Sequence, residues 1–316
     1  TDTNESARVE EYDRLRALEA QALAEAVRVF WPSFQTRLHL WAVPEHQDLS
    51  LGLAEVRVIG EENQDLPRFS ILRMTGSLAS PSAVSFAWDS ELGNLVLRQQ
   101  GVENGLTEYL SDGQRSSAMN GQGALEKRSA WGELFSYVPV GFDHIIPKGL
   151  DHILFVLGLF FLTLRVSALL WQISAFTLAH TVTLAAGAMG WVTISGSIVE
   201  PLIAASIVFV AVENIFSQKL HRWRPALIFG FGLLHGLGFA SVLQEFGLPD
   251  GQFIAALIGF NIGVEIGQLT VIACAFLLLG VWFGNKPWYR AYISIPSSCL
   301  IALIGAYWVI ERTILA

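Results

Sequence analysis

GLDHILFVLGLFFLTLRVSALLWQISAFTLAHTVTLAAGAMG, residues 149–190, carries only Asp151 and Arg165 as charged side chains. It divides into two apolar runs, 149–165 and 168–190. A helix needs about 20 apolar residues to cross a bilayer core, with about 17 near the lower limit. Four more runs follow near 198–217, 225–245, 252–283 and 292–312. The fifth is long enough to tilt or to extend past the bilayer. The pattern predicts a polytopic α-helical membrane protein with six transmembrane helices in a domain spanning 131–316.

The polar residues inside and beside these runs are of two kinds. His144, His152, His180 and His235 supply imidazoles; Asp151, Glu200, Glu213 and Glu265 supply carboxylates, with Asp143 just before the first run. The interior of the runs reads as free of Lys and Arg. Ionisable groups within a membrane usually face the bundle interior and mark a pathway or a site. A set made only of imidazoles and carboxylates suits a cation. Imidazole favours Ni, Co, Zn, Cu or Fe, whereas Mg and Ca sites are built from oxygen alone. Asn261, Glu265 and Gln268 fall at i, i+4 and i+7, on one helix face. Asn261, Gln268, Asn214 and Thr181 are candidates for groups that orient the ligands. Blander readings stand beside these. A mid-span histidine can be an interhelical hydrogen-bond partner, Glu200 before Pro201 suits a helix start, and Glu213 can reach water at a span end. The glycines around His235 (Gly230, Gly232, Gly236, Gly238) and around Glu265 (Gly263, Gly267) predict close helix contacts at both places.

Composition agrees with a membrane protein. Only 15% of the residues are charged and the mean hydropathy is +0.45, against about 25% charged in soluble domains. The net charge of −8 lies entirely before residue 141, which speaks against nucleic acid or an anionic lipid surface as a partner of the front half. Cys274 and Cys299 both fall in apolar runs, so no disulfide framework or thiolate metal motif is present. Residues 5–30 space apolar side chains at helical intervals, predicting an amphipathic helix that stops near Trp31-Pro32 within a segment 1–33. From 34 to 112 the period shortens to two, in RLHLWAV, LGLAEVRVI, FSILRMTG, AVSFAW and LVLRQ. These runs predict a small antiparallel β-sandwich-like domain, with residues 112–130, polar and Gly/Ser-rich, as a linker.

Basic residues set the expected orientation. Loops 165–168, 218–224 and 284–291 hold Arg165, Lys219, Arg222, Arg224, Lys286 and Arg290, whereas 191–197 and 246–251 hold none. The positive-inside rule then predicts a multi-pass protein of the cytoplasmic (inner) membrane, with the N-terminal domain and the C-terminus extracytoplasmic. Export of the front half would require a leader, and the start at Thr1 fits its removal.

Several stretches, taken in order, resemble the HupE/UreJ family: GFDHIIPKGLDHILFVLGLF (141–160), FTLAHTVTL (176–184), VEPLIAASI with VEN (199–214), FGLLHGLGFA (231–240) and FNIGVEIGQ (260–268). The front half resembles the exported domain of the longer branch of that family only around 84–147. The resemblance implies a polytopic protein associated with hydrogenase and urease accessory functions and thought to move nickel or a related divalent cation. It places family motif residues on Asp151, His152, His180, Glu213, His235 and Glu265.

The sequence therefore leads to a divalent transition-metal permease whose site draws on His144, Asp151, His152, His180, Glu213, His235 and Glu265. No nucleotide-binding motif is present, so movement would be secondary or channel-like. Its partners are membrane lipid, the metal ion and a protein bound by the front domain. Two alternatives from other classes are an intramembrane zinc-dependent hydrolase, with Glu265 or Glu213 as general base, and a non-transporting assembly protein.

Overall fold

The computed structural model describes residues 11–12, 14–43, 47–59, 69–78, 82–102, 105–110, 112–125, 129–217, 221–246 and 252–315. Side chains are described up to 239 in the segment 221–246 and up to 314 at the end of the chain. Contacts divide the chain into two compact units, Thr1–Lys127 and Arg128–Ala316.

Among its described residues the first unit opens with helical residues at 11–12 and 14–16, a break at 17–19, and helix α1, Ala20–Gln35. The sequence predicts one helix stopping near Pro32, and the start of that prediction lies outside the described residues. The observed helix is interrupted at Glu19, whose extended backbone (ψ 152°) ends one turn before the next begins. It then carries Pro32 within its last turn. Pro32 removes only its own donor, so three more residues keep helical geometry before the chain leaves.

Strands β1 (Leu38–Val43), β3 (Gly52–Ile59), β4 (Phe69–Thr75), β5 (Ala83–Trp88) and β6 (Leu95–Arg98) coincide with the alternating runs, and the two-residue β2 (Gln47–Asp48) lies between the first two of them. β7 is Thr107–Leu110, and β8 and β9 are the short pieces Met119–Asn120 and Gly123–Ala124. All pairings are antiparallel, in a five-stranded sheet β2-β1-β5-β8-β9 and two hairpins, β3-β4 and β6-β7. The segment read as a linker is thus partly sheet. Ser116 accounts for this: its hydroxyl accepts from Phe86 N at 2.9 Å and its own N–H donates to Phe86 O, tying a polar strand to β5.

The second unit is helical. α2 (Ala130–Ile145) starts at Ser129, whose hydroxyl caps Gly132 N at 3.1 Å. α3 (Leu150–Leu162) follows after a break holding Pro147 and Gly149, and the two axes meet at 75°. Then come α4 (Val166–Ala188), α5 (Gly196–Phe216), α6 (Arg224–Phe246), α7 (Phe253–Ala275, prolonged by wider turns to Phe283) and α8 (Ile295–Ile310, within an apolar stretch Arg290–Ile314). Among the described residues four helices are long and apolar enough to cross a membrane, α4, α5, α7 and α8, or five if the bent pair α2–α3 counts as one span. The expected first crossing at 149–165 needs correction. α3 has 13 residues and spans roughly 20 Å, short of a ~30 Å hydrocarbon core. It reaches crossing length only together with α2, whose Glu133 and Asp143 conceal it from a hydropathy reading.

Outward faces are apolar, as in Leu178, Leu202, Phe209, Ile258 and Leu303, and inward faces carry the polar side chains. Water would reward the opposite arrangement; lipid does not. Two tight contacts organise the interior. A Cβ on Gly141 or Gly263 would strike the backbone of α7 or α2, and one on Gly232 or Gly236 would strike the backbone of α4. Glycine therefore lets α2 press on α7 and α6 on α4 at backbone distance, as its spacing predicts.

Candidate metal centre

The break between α2 and α3 turns the chain so that the last residues of one helix face the first turn of the next. His144 closes α2 and His152 opens α3, and their rings lie 4.9 Å apart between centroids. His180, midway along α4, stands 6.0 Å from His144 and 5.8 Å from His152. One ligand atom from each of these three lies within 4.8 Å of the others. His235, midway along α6, adds a fourth ring 4.8 Å from His152. Phe155, Phe176 and Phe260, all fully buried, pack against the cluster together with Phe239.

Hydrogen bonds fix which nitrogens are bare. Asn261 Nδ2 donates to Leu257 O at 2.8 Å, so its Oδ1 must face His180 Nδ1 at 3.1 Å. Nδ1 therefore carries the proton, and His180 Nε2 presents a lone pair with no protein partner. The same logic applies to His235. Ser206 Oγ donates to Ile203 O at 2.7 Å, leaving it to accept from His235 Nε2 at 3.1 Å. His235 Nδ1 is then the bare nitrogen, and it too is buried without a partner. His144 Nε2 and His152 Nε2 complete a set of four such atoms. A buried polar nitrogen left unpartnered costs about 1–3 kcal/mol, so four gathered around the His152 ring imply a group that fills them.

The donor set fits a transition metal. Neutral imidazole nitrogen with its other nitrogen pinned by an amide or hydroxyl oxygen is the usual arrangement of a metal-ligating histidine. Tetrahedral coordination at 2.0–2.1 Å per bond sets nitrogens roughly 3.4 Å apart. The ligand atoms of His144, His152 and His180, within 4.8 Å of one another, would thus close by up to about 1.4 Å to share one ion.

The carboxylates lie elsewhere. Asp151 is bound in a fork by Arg312, at 3.0 and 3.2 Å. Glu213 is bound by Arg224 Nη1, and Arg224 Nε donates to Gln172 at 2.8 Å. Glu265 accepts from Ser174 Oγ at 2.7 Å on a partly exposed face. Among the described residues the three-imidazole ligand set includes no carboxylate. The face Asn261–Glu265–Gln268 does turn toward α4, where it meets His180, Ser174 and Thr177 respectively. Asn214 donates to Gly158 O and Ser298 Oγ and so knits helices, whereas Thr181 donates back to Thr177 O within α4. Glu200 contributes its backbone oxygen to Arg312 at 3.3 Å.

The sequence places Arg224 in a loop outside the apolar runs, and the structure moves it inside the helical unit. It begins α6 and is fully buried. In the stretch HRWR (221–224) it looks like one more basic residue of a cytoplasmic loop, and only the packing of Gln172 and Glu213 draws it inward. Ser206 and the phenylalanine enclosure also escaped the sequence reading. Ser206 sits on the α5 face turned toward α6, a rotation that composition does not reveal.

Fold and site together define a multi-pass membrane protein enclosing a cluster of metal-competent imidazoles. A family model described as HupE / UreJ protein matches residues 120–312, more than half of the chain, and the chain belongs to that family. No curated protein and no solved structure shows a significant match.

Proposed function

We propose that this protein moves a divalent transition-metal cation across the cytoplasmic membrane through the site formed by His144, His152, His180 and His235. The observation that carries this reading is the convergence of four imidazoles from α2, α3, α4 and α6, each with a bare, buried nitrogen. Membership of a family linked to nickel and metal accessory roles supports it. The class of cargo follows from the donors: nitrogen-only ligation favours Ni, Co, Zn, Cu or Fe over Mg and Ca. A ligand set somewhat wider than a bound geometry suits transit better than permanent capture. We take α6 as the sixth crossing, with the N-terminal unit and the C-terminus outside, on the strength of the basic loops. Asp151 then lies toward the outer end and Glu213 toward the inner one.

Proteoliposomes loaded with a metal-sensitive dye test the reading against Ni²⁺, Co²⁺, Zn²⁺, Cu²⁺ and Fe²⁺. Uptake of at least one ion, lost in His152→Ala, is the expected result. Absence of uptake for all five overturns it.

Three imidazoles also resemble the ligand set of catalytic zinc, which keeps a fourth position open. An intramembrane hydrolase would hold zinc through dialysis and cleave a peptide or ester in detergent. Asp151, Glu213 and Glu265 being engaged by arginine or serine favours transport, because hydrolysis needs a base beside the metal.

A further inference from the structure

Helix α5 serves as a ruler for the helical unit. Near its start, Glu200 O accepts from Arg312, which also grips Asp151. At its middle, Ser206 holds His235. Near its end, Glu213 binds Arg224. At 1.5 Å per residue these three contacts fall about 9 and 10 Å apart along the axis. Two arginine–carboxylate pairs therefore flank the histidine cluster, one on each side.

Each pair joins separate helices. Asp151 begins α3 and is followed directly by His152, while Arg312 comes from the end of the last apolar stretch. Glu213 and Arg224 join the end of α5 to the start of α6, and Gln172 of α4 completes the contact. The pairs differ in burial. Asp151 and Arg312 side chains are 24% and 22% exposed; Glu213 and Arg224 are 11% and 0% exposed. Arg224 Nη2 and Glu213 Oε1 are buried with no partner, so the inner carboxylate still offers one oxygen while its other is held.

We propose that Arg312 and Arg224 are tethered counter-cations that close the two approaches to the histidine site, and that only a cation able to displace them passes. The proposal rests on the transport reading above and adds the control of access to it. A lone carboxylate at a mouth would attract any cation. One already neutralised by guanidinium does not, because a monovalent ion carries no more charge than its tethered rival, which has a high effective concentration. A divalent ion doubles the Coulomb attraction at equal distance. The arginines thus favour divalent over monovalent cargo before any imidazole is reached. The partly exposed outer pair is the weaker and yields first; the more deeply buried inner pair is costlier to part. Glu213 Oε1 gives an arriving ion a first oxygen before Arg224 lets go.

Ser206→Cys, in a chain with Cys274→Ser and Cys299→Ser, reports access to the site. Sealed vesicles of known orientation are treated with a membrane-impermeant thiosulfonate from either side. The parent reporter is expected to react slowly from both sides. Arg312→Gln should raise labelling about fivefold, only from the side on which α3 begins. The double change Glu213→Gln/Arg224→Gln should raise it about tenfold from the opposite side. Arg224→Lys, which keeps the charge within the fold, should fall between parent and double variant. The exchange Asp151→Arg/Arg312→Asp should restore the parent rate. Unchanged labelling in Arg312→Gln and Arg224→Lys, or increases from both sides alike, overturns the proposal. Metal uptake is measured separately in the chain that retains Ser206. Side-specific labelling without uptake leaves the gates standing and removes the transport reading; uptake with unchanged labelling removes the gates alone.

Discussion

The centre of the helical unit and its two ends treat polar groups in opposite ways. Toward the ends two carboxylates are held by arginines: Asp151 by Arg312 and Glu213 by Arg224. At the centre four imidazoles meet and each leaves one nitrogen unsatisfied. The difference follows from charge. A carboxylate in apolar surroundings must be paired or lose its charge, whereas a neutral imidazole can keep a bare lone pair for the smaller cost of a missing hydrogen bond. The unit spends its pairing on the ends and keeps its ligand capacity for the middle.

Substitutions that break or sharpen this contrast should rank accordingly. His152→Ala removes the ring that touches all three other histidines and should lower metal uptake by about a hundredfold or more, beyond the ten- to hundredfold typical of supporting groups. Asn261→Leu leaves every imidazole in place but frees the His180 tautomer. Metal affinity, followed by competition with a chelating dye, should weaken between about tenfold and a hundredfold. Ser206→Ala does the same for His235 through a weaker contact, and about tenfold or less is expected in the same titration. Glu265→Gln keeps an acceptor for Ser174 and lies away from the cluster, so uptake should change by less than about twofold; a tenfold loss would bring Glu265 back among the ligands.

What could be read beforehand follows the same division. Histidines interrupting apolar runs announce themselves, and the glycines beside them forecast backbone contact at Gly236 and Gly263, where a Cβ finds no room. The alternating strands were equally visible. Whether a carboxylate joins the site depends on helix rotation and on a distant partner: Asp151 is matched by a residue 161 positions later and Glu265 by one 91 positions earlier. Local pattern holds no trace of such pairs. Arg224 was hidden among loop arginines, β8 and β9 among glycine and serine, and α2 behind its own acids.

The glycine contacts carry one more consequence. α2 is welded to α7 and α4 to α6 at the backbone, so each couple shifts as a block. His144 rides on the first block, His180 and His235 on the second, and Asn261 reaches across to His180. Sliding one block past the other by an ångström would subtract a donor and untie a tautomer in a single stroke. In the transport reading, grip on the cargo would thereby be geared to the relative displacement of the two helix pairs.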